Sequence, residues 1–98
     1  MAYGLIWAPA AHLDLRELAS YIAESRPLAA QHFVQQVLQE VERLAHFPES
    51  GRIVPEFEEP NIREVIRRPC RIVYRVKSAQ QTVEVARIWH AARGIPEL

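Results

Sequence analysis

The residues best suited to chemistry lie in the last third of the chain, and His90 leads them. An imidazole with an ordinary pKa of about 6.5 can give or take a proton at neutral pH. His90 ends a strand-like run, so a hydrogen-bonded residue closing a strand is the competing role. In RIVYRV, Arg71 and Arg75 alternate with Ile72, Tyr74 and Val76. If the apolar set faces the core, both guanidinium forks share the opposite, exposed sheet face with Val73. Forks on such a face clamp phosphates or acidic protein segments, or simply keep the face soluble. Arg63, Arg67 and Arg68 lie on or beside what reads as an edge strand, where charge guards against edge-to-edge pairing. Arg93, just past the last strand, is a further candidate contact. Glu56 sits in an acidic loop with Glu58 and Glu59 and reads, from the residues alone, as a solvated carboxylate.

Other chemistries find little support. His12, His32 and His46 have no ligand spacing, and the single cysteine, Cys70, cannot close a disulfide within the chain. No cofactor and no metal is expected, and one unpaired cysteine suits a reducing compartment. There is no apolar run long enough for a membrane span and no leader-like N-terminus. A small soluble cytoplasmic protein without a membrane partner is the expectation. The zero formal net charge hides a division: residues 62–98 carry eight Lys/Arg against three Glu, and residues 1–61 carry four against nine Asp/Glu. An acidic half is therefore joined to a basic half.

Elements follow from periodicity. Residues 1–98 read as one domain, with enough apolar material for a core. Tyr3–Trp7 is a short strand stopped by Pro9. Ala11, Leu15, Leu18 and Ile22 recur at helical spacing over 9–24, although Ala8 offers no capping oxygen. A second helix spans 27–47, with Ala30, Phe33, Val34, Val37, Leu38, Val41, Leu44 and Ala45 on its apolar face. Pro27 suits the opening turn, and the two helices form an antiparallel hairpin. Residues 48–61, rich in Pro and acid, read as a surface connection. Strands follow at 62–68, 71–76 and 82–90, and Trp7 and Trp89 read as packing residues.

Direction is then a matter of parity. If the helix hairpin folds back along the first strand and returns, the three later strands alternate as a meander. The last strand lands antiparallel beside the first. The expected fold is α+β: a helix hairpin on one face of an antiparallel four-stranded sheet, order 1-4-3-2, with the other face bare and basic.

Taken in order, IWAPAAHLDL, YIAESRPLAA, FPESGRIVPEF, IREVIRRPCRIVYRV and VEVARIWHAARGIP resemble the RelE/ParE superfamily of bacterial toxins from type II toxin–antitoxin modules. The resemblance spans nearly the whole chain, and the tail ARIWHAARGIP is most similar to the ParE branch. It implies β-α-α followed by an antiparallel meander. It also implies a plasmid-stabilization type of toxin that inhibits DNA gyrase by binding, and a cognate antitoxin that silences it in a hetero-oligomer. Such a toxin needs no catalytic residue. Arg63, Arg71, Arg75, His90 and Arg93 are then the expected contacts to target or antitoxin. The RelE/YoeB branch, which cleaves mRNA on the ribosome, supplies the alternative. Glu56 in VPEF falls where that branch carries a catalytic glutamate, Arg71 where it carries a phosphate-binding arginine, and His90 near its catalytic histidine. The chain departs from that pattern at Ala91, where an aromatic is expected, and in having one lysine, Lys77.

Overall fold

The computed structural model describes residues 2–98. Strand β1 (Gly4–Trp7) leads into helices α1 (Pro9–Ala23) and α2 (Pro27–His46). Four strands follow: β2 (Arg52–Ile53), β3 (Ile62–Arg67), β4 (Cys70–Lys77) and β5 (Thr82–His90). Short 3-10 turns occupy Ser78–Gln80 and Ala91–Arg93. Both helices begin on proline and neither has a side-chain N-cap, in keeping with Ala8 and Arg26 at those positions. Arg43 and His46 in the last turn of α2 oppose the negative end of its dipole. Helical stability therefore rests on the buried stripe of Phe33, Val37, Val41 and Leu44 more than on the ends.

The sheet is mixed and five-stranded, in the order β1-β5-β4-β3-β2. The four longer strands lie in the expected sequence, but β1 pairs with β5 in parallel, and β2 adds a fifth member antiparallel to β3. The departure from an all-antiparallel sheet begins at the first helix. Trp7 is in register with Val85, and Asp14 accepts a hydrogen bond from the Ile88 N–H at 3.0 Å. Helix α1 thus advances along β5 instead of doubling back. Helix α2 then returns the chain to the start of β1, where the Tyr3 N–H donates to the Ala45 carbonyl at 2.8 Å. With the hairpin reversed, β3 and β5 leave from the same end as β1.

The helices cover one sheet face. Ala11, Leu15, Phe33, Val37 and Val41 pack on Ile72, Val85 and Ile88, while Leu44 packs with Tyr74, Val76 and Val83. The far face is not bare, contrary to expectation. Val54, Ile62, Val73 and Trp89 form a second core there, with Phe57 packed against it. The connection after α2 looked polar, but Val54 and Phe57 give it enough apolar surface to fold back on the sheet. A β-bulge sharpens the division. The register of β4 against β5 shifts between Val73 and Tyr74, leaving Ala86 as the extra residue. Val83, Val85 and Ile88 consequently all face the helices, while Arg87 and Trp89 turn to the far face.

Candidate functional site

Residues from three strands and one loop meet at the end of the sheet where β5 stops. Glu64 on β3 stands opposite Arg52 on β2 and Val73 on β4. Its side chain is fully buried, and it accepts hydrogen bonds from Arg52 Nε at 2.7 Å and Arg71 Nε at 2.5 Å. Arg71 gives the other edge of its guanidinium to Glu56. Its terminal nitrogens reach the two Glu56 carboxylate oxygens at 2.9 and 2.7 Å, a bidentate fork. The row Arg52–Glu64–Arg71–Glu56 alternates in charge and is neutral in sum. Hydrogen bonds from Arg71 keep the Glu56 carboxyl below its ordinary range. Those to Glu56 and then Glu64 raise the Arg71 pKa still further. Among the described residues no buried side-chain nitrogen or oxygen lacks a partner.

Beside this row lies a cleft of about 490 Å³ bordered by Glu56, Arg71 and His90, with Pro55, Ile66 and Pro69 among its apolar walls. The three residues singled out for the RNA-cleaving alternative are thus brought to one place. They do not share a sheet face. Arg71 stands opposite Trp89, whereas His90 stands opposite Cys70 on the helix side and reaches the cleft only because the strand ends there. His90 Nδ1 accepts the Ala92 N–H at 3.1 Å, which caps the turn Ala91–Arg93. That bond places the proton of the neutral ring on Nε2.

The other candidates are scattered. Arg63 holds the loop, donating to the carbonyls of Pro60 at 3.0 Å and Gly51 at 2.9 Å. Arg75 pairs with Glu84 at 2.8 Å, and Lys77 approaches the same carboxylate at 3.7 Å. The exposed Arg93 lays its guanidinium over Trp89, 4.0 Å from the ring centroid. Arg68 is exposed at the cleft rim, and Arg67 ends β3. Cys70 is buried in the helix-side core, and burial pushes its thiol up to about 11.

Sequence reasoning missed three groups. Glu64 organises the charged row but was hidden among strand arginines. Asp14 binds Arg87 bidentately at 2.8 and 2.9 Å and continues the β5 edge beyond β1 by accepting the Ile88 N–H. Its signal was legible: a carboxylate beside Ala11, Leu15 and Leu18 falls on the apolar stripe, where a partner is required. Tyr74, fully buried, accepts the Gly51 N–H at 2.9 Å.

Solved structures share this architecture. The chromosomal ParDE toxin–antitoxin system of P. aeruginosa includes a chain that superposes with a TM-score of 0.74 at 25% identity, over 91% of this chain and 96% of that one. The RelBE2 toxin–antitoxin complex of Mycobacterium tuberculosis gives 0.61 at 20% identity, over 92% and 99%, a likeness of fold alone. Among curated proteins, Toxin RelE2 of Caulobacter vibrioides is 33% identical over 89 residues, 91% of this chain and 96% of that one. Fold and relatives together define a toxin of the RelE/ParE superfamily. Residues 5–95 match the family described as the ParE toxin of the type II toxin–antitoxin system, parDE, and the chain belongs to that family. Among the described residues no helix is long and apolar enough to cross a membrane, and no group of His, Cys, Asp or Glu is arranged to hold a metal ion.

Proposed function

We propose that this toxin acts by binding a protein target, DNA gyrase, and that a cognate antitoxin silences it in a hetero-oligomeric complex. The observation that carries this reading is the closed pairing of Glu56 with Arg71. A general base needs a pKa near neutrality, and a phosphate clamp needs free N–H groups. Here both oxygens of Glu56 are engaged by Arg71, which holds the Glu56 carboxyl below its ordinary range and makes it a poor base. The same contacts occupy the face of Arg71 that would meet a phosphate. Family membership over residues 5–95 and the likeness to the P. aeruginosa ParDE system support the same direction. Arg93 and Arg68, exposed and basic, are the charged contacts offered to an acidic partner, together with Arg75 at the sheet surface. Purified toxin is expected to inhibit gyrase supercoiling, and the antitoxin encoded beside it to relieve that inhibition and co-purify. Undiminished supercoiling at saturating toxin counts against gyrase as target.

A second reading is a ribosome-dependent endoribonuclease. Its support is the convergence of Glu56, Arg71 and His90 on one cleft and the relative named Toxin RelE2. Glu56 would be general base, Arg71 the phosphate cation and His90 general acid. Primer extension on translated mRNA separates the two. Discrete cleavage that is lost in both Arg71→Ala and His90→Ala supports the nuclease, and intact mRNA in arrested cells removes it.

A further inference from the structure

The geometry points to an exchange site: Glu56 occupies a carboxylate-binding fork on Arg71 that an acidic side chain of a protein partner takes over, with an adjacent aliphatic side chain filling the cleft. This deepens the protein-binding reading above, but it does not depend on gyrase being the target.

Three observations lead there. First, Glu56 comes from a loop while the other members of the row come from strands, so it can release Arg71 without disturbing the sheet. Of the two carboxylates in the row it is the accessible one, 28% exposed where Glu64 has no exposure. The loop is fastened near it by backbone bonds from Phe57 and Glu58 to Val54, and Glu58 stands at φ 53, a left-handed conformation costly for a non-glycine residue. Second, charge favours replacement by another anion. With Glu56 in place the row is neutral; without it Arg52 and Arg71 outnumber Glu64, and exposed Arg68 borders the same cleft. Third, the walls choose between anions. Ile66, Pro55, Pro69 and Ala91 are apolar, and among the described residues lining the cleft the His90 imidazole is the one aromatic ring on which a nucleobase could stack. A carboxylate next to a branched aliphatic side chain fits the fork and the apolar wall together; a nucleotide would set its phosphate in the fork with only His90 to stack its base. Ile66, 48% exposed on the wall, is the surface such a side chain would cover.

In this arrangement Glu56 competes with the ligand, so its removal raises affinity, whereas removal of a catalytic or simply supporting residue would not. The probes are N-acetyl-Glu-Leu-amide, its Gln-Leu counterpart, inorganic phosphate and AMP. Each is titrated into the full chain while the backbone N–H resonances of Cys70 and Ala91, which line the cleft in every variant, are followed by NMR. Glu56→Ala is expected to bind the Glu-Leu probe about tenfold or more tightly than the unmodified chain, because the competing internal state is gone. The Gln-Leu probe should lose that gain, and Arg71→Lys introduced into Glu56→Ala should abolish it. Glu56→Gln, which keeps the side-chain shape, serves if the alanine variant does not fold. Equal affinity of the probe for the unmodified chain and the variant overturns the exchange. Phosphate binding as well as the dipeptide removes the role of the apolar wall, and AMP binding better than the dipeptide assigns the site to nucleic acid. None of these outcomes involves supercoiling, so the site and the gyrase target fail or stand separately.

Discussion

Replacing Glu64 with Gln removes one charge at nearly constant volume, cutting the pairing with Arg52 and Arg71 while leaving the packing intact. The Glu64 side chain has no exposure and the Arg71 side chain has 10%, so water cannot take over their hydrogen bonds. Breaking a buried pair by removing one member typically costs about 3–5 kcal/mol, because the surviving charge is left uncompensated. Two features place this case at the lower end. The Arg52 side chain is 59% exposed and can return to water, and Arg71 keeps its fork to Glu56. A loss of about 3 kcal/mol is expected, which lowers the melting temperature of a domain this size by about 12–20 °C. Urea unfolding at neutral pH, followed by tryptophan fluorescence, measures it. Arg71→Met alone and with Glu64→Gln completes a double-mutant cycle, and the pair should interact by at least about 1 kcal/mol. A loss below about 1 kcal/mol with additive singles would refute the reasoning, since that is how an exposed ion pair behaves.

Glu56 has a depressed pKa in the folded chain, so its contribution is complete above the ordinary carboxylate range and fades as pH falls through the lowered folded value. Glu56→Gln should therefore flatten the acid limb of melting temperature against pH, and superimposable curves would contradict the Glu56–Arg71 pairing. Tyr74→Phe strands the Gly51 N–H in the interior and should cost about 1–3 kcal/mol by denaturant melts, although no apolar contact is lost. Gly51→Ala should be destabilising as well, because a Cβ there would lie 2.6 Å from the Glu64 carbonyl oxygen and the Tyr74 hydroxyl; a neutral result would mean the loop sits farther from the sheet. Cys70, its thiol pushed up to about 11, should react with a thiol reagent at pH 8 only as fast as the core opens, and rapid labelling of the native chain would place it elsewhere.

Much of the architecture was legible in one dimension. Helical spacing marked Ala11, Leu15, Phe33, Val37 and Val41, and strand alternation put Ile72, Tyr74 and Val76 against the helices. These assignments needed only local periodicity, because a side chain's direction relative to its neighbours is set within a turn or a pleat. The order of the four longer strands followed from their connections. What failed was direction: whether α1 doubles back or runs on is decided by its packing on β5 through Asp14 and Ile88, some 74 residues apart in the chain. The two-residue β2 carries too little pattern to be seen at all.

For the site the division is the same. Residue types alone marked Arg71 and His90 as chemically able, and the family resemblance added Glu56. Only the folded chain could decide that Arg71 is spent on Glu56 and Glu64, that Arg63 holds a loop, and that Arg75 answers Glu84. Sequence determines which charges exist and which sheet face each strand offers, since both are local properties. Which charges remain available to a partner is a property of contacts between distant segments, and burial makes those contacts strong enough to change what each residue can do.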